Sequence, residues 1–335
     1  MNQPILFLER EPWEQEFLKG RFDGSIGFSA ATIDKIPADR LKNVSILVAF
    51  IHSAITEAVL ERIPNLKFVT TRSTGYDHID LQACAKRGVL VSNVPTYGEN
   101  TVAEHTVALV LALSRKLIPS IERTRRGDFR LDDLRGFDLK GKTIGLIGSG
   151  HIGSHVAQYA VAFGMHVLAF DPKPNLELAK KLGFSYVSFN DLLPQSDIIS
   201  LHVPFLPSTK HLLNDAAFKK MKRGVVIINT ARGGLIDTKA LVRALKNGTV
   251  AAAGLDVLEE ECEITEEREL LTDAFKQQCD LETVLANHIL LEQPNVIITP
   301  HNAFNSQEAL ERILTTTIAN IKAFQAGQPI NVVNV

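Results

Sequence analysis

Three glycines, Gly148, Gly150 and Gly153, stand at the spacing G-x-G-x-x-G between the apolar run Thr143–Ile147 and the start of a helical pattern. The first glycine of such a set permits a tight turn. The second lets the backbone approach a pyrophosphate, and the third lets helix and strand pack closely. The unpaired N–H groups at the helix start then face the phosphates, favoured by the helix dipole. A second strand-like run, His166–Phe170, leads into Asp171, about twenty residues on, where an acid meets the ribose hydroxyls of NAD. The stretch reads as a dinucleotide site. Asp171 favours NAD over NADP, because a carboxylate repels a 2′-phosphate, although Lys173 sits close by in sequence.

A second set of reactive side chains follows three later strand-like runs. Arg232 lies in Thr230-Ala-Arg-Gly-Gly234, after Gly224–Asn229. Asp256, Glu259, Glu260 and Glu261 follow Val250–Gly254, and His301 follows Asn295–Thr299. In open parallel sheets ligands bind outside the carboxyl ends of the strands, so an arginine, acids and a histidine converge on one edge. Alone, each is more often a surface charge or a packed side chain. Together they suit reduction of a 2-oxo acid. Hydride transfer from NADH to a ketone leaves an alkoxide that must take a proton, and a histidinium supplies one near neutral pH. A neighbouring carboxylate holds the ring and raises its pKa. An arginine fork binds the substrate carboxylate in two hydrogen bonds and polarises the adjacent carbonyl.

The elements that must position these groups are legible as alternating strands and helices. Ile5–Leu8, Ser45–Phe50, Lys67–Thr71 and Val89–Ser92 have the length and branched content of buried parallel strands. Asp80 can cap, and Gly88 can end, the helix between the last two. An amphipathic stretch from about Thr101 to Arg126 carries Val102, Leu109, Leu113 and Leu117 at helical spacing. Strand signals then recur at Thr143–Ile147, His166–Phe170, Asp197–His202, Gly224–Thr230, Val250–Asp256 and Val296–Thr299, with helical patterns such as Thr238–Asn247 between them. Glu259–Gln293 reads as a charged helical insertion packed on the outside, and Ser306 to about Ala326 as a last helix returning to the first domain. The expected architecture is α/β: two Rossmann-like or flavodoxin-like parallel-sheet domains with a cleft between them. Residues 1–101 plus 302–335 form a discontinuous substrate domain, and 102–301 an NAD-binding domain.

Composition excludes several function classes. A length of 335 residues suits two domains, and a 45% hydrophobic fraction is ordinary for a globular protein. A net charge of −2 gives no reason to expect nucleic acid or an anionic membrane, and no apolar run is long enough to span a bilayer. The first residues lack a signal-peptide pattern, and three cysteines, Cys84, Cys262 and Cys279, form no C-x-x-C pair, so reduced thiols in the cytoplasm are expected. Cys262, Cys279 and His288 are too loosely spaced for a metal site, and no metal is expected. His105, His151 and His155 read as structural or surface groups, and His202 as a packed histidine.

Over nearly its whole length the chain resembles the D-isomer-specific 2-hydroxyacid dehydrogenases. The resemblance is carried by Ser73-Thr-Gly-Tyr-Asp-His-Ile-Asp80, Asn93-Val-Pro-Thr-Tyr97, Ala103-Glu-His105, the glycine turn, Leu201-His-Val-Pro204, Asn229-Thr-Ala-Arg-Gly233, Leu255-Asp-Val257 and Thr299-Pro-His301. Within the family it looks most like the D-lactate dehydrogenases, through Tyr97, the acids after Asp256, the insertion and Pro300-His-Asn-Ala-Phe304. The resemblance implies that Arg232 orients the substrate, Glu261 pairs with the histidine, and His301 donates the proton. Glu259 and Glu260 are the neighbouring alternatives to Glu261. It implies that backbone N–H groups near Thr74 and Gly75 hold the substrate carboxylate and that Tyr97 touches the substrate. His151 and Ile152 would contact the pyrophosphate through their backbone. Val203, Pro204 and Thr209 would line the adenosine and ribose side, and Thr230, Ala231 and Asp256 would meet the nicotinamide. A homodimer acting on a small 2-oxo or 2-hydroxy acid is implied. A dehydrogenase of hydroxypyruvate, glyoxylate or a branched-chain analogue, or a cofactor-sensing corepressor, is the alternative.

Overall fold

The computed structural model describes residues 4–22, 25–259 and 280–333. The chain folds as two units, Met1–Gly98 with Ser306–Val335, and Glu99–Asn305.

The first unit is built on β1 (Ile5–Phe7), β2 (Ile26–Phe28), β3 (Ile46–Ala49), β4 (Phe68–Thr71) and β5 (Leu90–Ser92), all parallel in the order β2-β1-β3-β4-β5. Every residue of β1, β3 and β4 is buried, as expected of parallel strands covered on both faces. Asp80 caps the helix Leu81–Lys86 by accepting from the Ala83 N–H at 2.9 Å, and Gly88 follows with φ +69°. The last helix, Gln307–Gln325, packs on this sheet, its Phe324 ring stacked on Phe68 at 4.4 Å.

The second unit holds β6 (Thr143–Ile147), β7 (His166–Phe170), β8 (Ser185–Tyr186), β9 (Ile198–Leu201), β10 (Val225–Asn229), β11 (Val250–Leu255) and β12 (Val296–Ile298). They form one parallel sheet ordered β12-β11-β10-β9-β6-β7-β8. The order reverses between β6 and β9, the switch point at which open parallel sheets place ligands.

Two features go beyond the sequence pattern. The amphipathic stretch Thr101–Arg126 folds as two helices, Glu99–Ser114 and Leu117–Arg125. Lys116 between them is left-handed, with φ 48°, and Pro119 then sits in the first turn of the second helix, where its missing N–H costs nothing. Leu117 is therefore 45% exposed rather than part of a buried stripe. Strand β2 was not anticipated, since its Ile-Gly-Phe sequence is short and only half-buried at the sheet edge. Of the charged insertion, the helix Leu281–Leu291 is described, and Glu260, Glu261, Cys262 and Cys279 lie outside the described residues.

Candidate active site

Gly148 leaves β6 with φ +98°, a conformation that disfavours L side chains, and a Cβ there would stand 2.5 Å from the His202 carbonyl oxygen. A Cβ on Gly153 would stand 2.2 Å from the Gly148 carbonyl oxygen. Both glycines are thus required by the protein itself. Gly150 differs: its Cβ would meet no protein atom within 4 Å. The helix His151–Ala162 begins here, and Ser154 N is the first to bond back, to Gly150 O at 2.9 Å. The N–H groups of His151, Ile152 and Gly153 have no carbonyl one turn earlier in their own helix.

Asp171, after β7, braces this turn. Its Oδ2 accepts from Ser149 N at 2.9 Å and from the Ser149 hydroxyl at 3.2 Å, and its Oδ1 accepts from Lys173 N at 2.8 Å. His202, after β9, lies across the switch point with Nε2 2.9 Å from Ser200 Oγ. Burial pushes its imidazole down to about 4, so it is neutral at pH 7. Val203 packs beside Gly148, and the Thr209 hydroxyl closes its own loop by donating to Pro204 O at 2.8 Å.

The exits of β10, β11 and β12 lie side by side. Asp256 N donates to Asn229 O and Thr299 N to Leu255 O, each at 2.9 Å. With strands about 4.8 Å apart, the three exits span roughly 10 Å. Asn229 shapes the Arg232 loop at both ends: its Oδ1 accepts from Ala231 N at 3.0 Å and its Nδ2 donates to Arg232 O at 2.9 Å. Arg232 Nη1 donates to Ala231 O at 2.8 Å. Gly233 runs so close to the β11 exit that a Cβ would overlap Leu258 O at 1.8 Å.

Asp256 is 1% exposed and organises the histidine loop. Its carbonyl accepts from His301 N at 2.8 Å. Its Oδ1 accepts from the Thr299 hydroxyl at 2.5 Å and Asn302 N at 3.0 Å, and its Oδ2 from Ala303 N at 2.8 Å. Charge-assisted bonds of this kind are about twice as strong as neutral ones. They hold His301 at φ 52°.

Glu259 is already engaged elsewhere. One oxygen accepts from His211 Nε2, and the other accepts from Thr238 N at 3.2 Å and from its hydroxyl at 3.0 Å. Glu260 and Glu261, the other two acids of the run, lie outside the described residues.

In the first unit, the loop after β4 turns its carbonyls inward. Thr74 O accepts from Asn93 Nδ2 at 2.8 Å, and Gly75 O from the Ser73 hydroxyl at 2.6 Å. The Thr74 hydroxyl donates to Val94 O at 2.9 Å. Tyr97 is part-buried, its carbonyl taking a 2.6 Å bond from Arg312 Nε.

Comparison with known proteins matches this geometry to a family. Residues 107–303 match the model "D-isomer specific 2-hydroxyacid dehydrogenase, NAD binding domain". The 2-hydroxyacid dehydrogenase homolog 1 of Schizosaccharomyces pombe is 38% identical over 326 residues, 96% of each chain. The chain belongs to the D-isomer specific 2-hydroxyacid dehydrogenases. The glycerate dehydrogenase of Methylorubrum extorquens is 36% identical over 341 residues, 99% of each chain. The D-lactate dehydrogenase of Aquifex aeolicus, solved with NAD and lactic acid, superposes with a TM-score of 0.85 at 38% identity, covering 97% of this chain and 96% of its own.

The second unit of this dehydrogenase is thus an NAD-binding domain, and its residues fit that cofactor. A Cβ at Gly150 would fill the space beside the orphan helix N–H groups, donors that with the helix dipole would suit a pyrophosphate. Sequence reasoning missed the brackets around the site: Asn229 on the arginine loop, Thr299 on Asp256, and His211 on Glu259. Only the first had a local signal, an Asn two residues before the amide it accepts from.

Proposed function

We propose that the chain is an NAD-dependent D-lactate dehydrogenase, reducing pyruvate to D-lactate. Bound NADH supplies the hydride. His301 gives its proton to the carbonyl oxygen as that oxygen becomes an alkoxide, and Glu261 steadies the imidazolium. Arg232 binds the substrate carboxylate in a fork and polarises the neighbouring carbonyl. In the first unit, the backbone N–H groups near Thr74 and Gly75 and the Tyr97 side chain are the proposed substrate contacts. His151 and Ile152 take the pyrophosphate, Asp171 the adenosine ribose, Val203, Pro204 and Thr209 the adenosine side, and Thr230, Ala231 and Asp256 the nicotinamide end. Each polar contribution is worth a few kcal/mol of barrier, on the order of 10²–10³ in rate.

The observation that carries this reading is the grip of Asp256 on the His301 loop, two strands from the Arg232 loop and on the same edge as the glycine turn. The D-lactate dehydrogenase of similar structure supports lactate. The glycerate dehydrogenase favours a second reading, in which the preferred 2-oxo acid is hydroxypyruvate. An NADH-oxidation assay over pyruvate, hydroxypyruvate, glyoxylate and a branched-chain 2-oxo acid, with the product's chirality measured, decides between them. Pyruvate should give the highest kcat/KM and a D product; a higher value for hydroxypyruvate replaces lactate with glycerate. NADPH working as well as NADH would remove the role given to Asp171.

We further propose a cytoplasmic homodimer. Among the described residues, no helix is long and apolar enough to cross a membrane. Leu117, Ile118 and Ile121 are 43–45% exposed on one helix, and Phe129 and Leu131, just beyond it, are 78% and 82% exposed. That apolar surface supports self-association. Light scattering on the eluted protein should give twice the chain mass.

A further inference from the structure

The helix Glu99–Ser114 reaches both loops of the proposed chemistry with adjacent side chains. Thr106 Oγ1 donates to Val102 O at 2.8 Å and lies 2.8 Å from Thr230 Oγ1, at the start of the arginine loop. His105 Nε2 lies 3.1 Å from Thr299 Oγ1 and 3.5 Å from Asp256 Oδ1, at the base of the histidine loop.

Counting protons fixes the direction of these bonds. The Thr299 hydroxyl has one hydrogen, and a carboxylate can only accept, so that hydrogen points to Asp256 Oδ1 at 2.5 Å. The hydroxyl oxygen must therefore accept from His105, whose Nε2 carries hydrogen. The chain of donors runs from His105 to Thr299 to Asp256. The same carboxylate receives the N–H groups of Asn302 and Ala303, which directly follow His301. Take away the imidazole donor, and the Thr299 hydroxyl oxygen loses its partner. The hydroxyl is then released to rotate, and Asp256 Oδ1 loses an oriented donor beside the loop.

We propose that His105 is a positioning residue for His301. Its Nε2–H sets the Thr299 hydroxyl toward Asp256, and the carboxylate so fixed holds the backbone that presents His301. This rests on the reading of His301 as proton donor. His105 touches no reacting atom; it acts through two intermediaries on the geometry of one that does.

The test compares His105→Phe with His105→Gln in the full chain. Phenylalanine fills the space without a donor, whereas the glutamine Nε2 amide reaches about as far as the imidazole Nε2 and still donates. His105→Phe should lower kcat about tenfold to a hundredfold, as for a displaced catalytic group, with NADH Kd and substrate KM changed by less than about twofold. His105→Gln should stay within about threefold of the parent. Adding His105→Phe to Thr299→Val should lower kcat no further, since the two act in series. A readout independent of turnover is hydrogen exchange at the amides of Asn302 and Ala303, which should quicken about tenfold in His105→Phe and not in His105→Gln. Parent-like kcat and exchange in His105→Phe overturns the proposal. So does an equal loss in both variants, which would indicate packing rather than a donated hydrogen. If the parent chain reduces no 2-oxo acid, the proposed function fails; unchanged exchange with intact turnover fails His105 alone.

Discussion

At the carboxyl edge of the first sheet, Glu9 follows β1 and reaches across the switch point to accept from Phe50 N at 3.3 Å and His52 N at 3.0 Å, just past β3. Arg72, after β4, donates to Leu8 O and Glu9 O at 2.9 Å each, pairs with the Glu14 carboxylate, and lies 5.0 Å over the Phe50 ring. At the corresponding edge of the second sheet, the chain leaves β6 through glycines and starts a helix whose first amides point away from its own carbonyls. The two sheets share a rule of construction but not a use of their switch points. In the first unit, charged side chains satisfy the strand ends internally. In the second, the first amides of the helix after the glycine turn have no carbonyl of their own helix to meet. Stability should therefore concentrate its electrostatics in the first edge, and ligand binding in the second.

Four tests sharpen or break that contrast. The largest effect belongs to the second edge: His301→Ala should reduce kcat by about 10²–10⁴, the range for loss of a general acid, while NADH still binds, as read by fluorescence titration. Parent-like turnover in His301→Ala would reverse the assignment. Next comes the first edge. Glu14→Ala strands the guanidinium of Arg72, which is 3% exposed, and should cost about 3–5 kcal/mol in urea unfolding without changing the NADH Kd of the folded protein. Adding Arg72→Met should recover much of that loss, since an apolar pair of similar volume can replace a buried ion pair. If Glu14→Ala instead weakens NADH binding, the first edge is not purely structural.

The glycine turn gives a paired test. Gly153→Ala must displace the backbone at Gly148 and should destabilise the protein by about 1–3 kcal/mol, as overpacking does. Gly150→Ala meets no protein atom and should leave the melting temperature in place while raising the NADH Kd at least about tenfold. Equal NADH affinity in Gly150→Ala and the parent would put the pyrophosphate elsewhere. The last test is in pH. His202 has a folded pKa of about 4 against an unfolded value of 6.5, so the unfolded chain binds more protons between them. Stability contributed by the neutral ring is complete above pH 6.5 and is lost as pH falls toward 4, by at most roughly 3 kcal/mol. His202→Gln should flatten that part of a thermal-melt series against pH.

Much of the second sheet was legible because its strands are buried on both faces and read as unbroken apolar runs, as in Val225–Asn229. The edge strand Ile26–Phe28 was not, because three half-buried residues around a glycine carry no period. The helix break at Lys116 was hidden because periodicity continues through it while the backbone does not. At the site, Arg232 and His301 were visible as residue types in a family pattern. The grip on His301 was not, because it is made by backbone N–H groups that no sequence letter displays. Nor could sequence show that Glu259 meets His211, 48 residues away along the chain.

With His301 as the proposed proton donor, the left-handed backbone there sets heat tolerance against turnover at one codon. An L residue there costs about 1–2 kcal/mol that glycine does not. Screening a library at this position for survival of heating alone should enrich glycine, while screening it for product formation should return histidine. The divergence between the two winners would measure how much robustness the fold gives up to keep an imidazole in place.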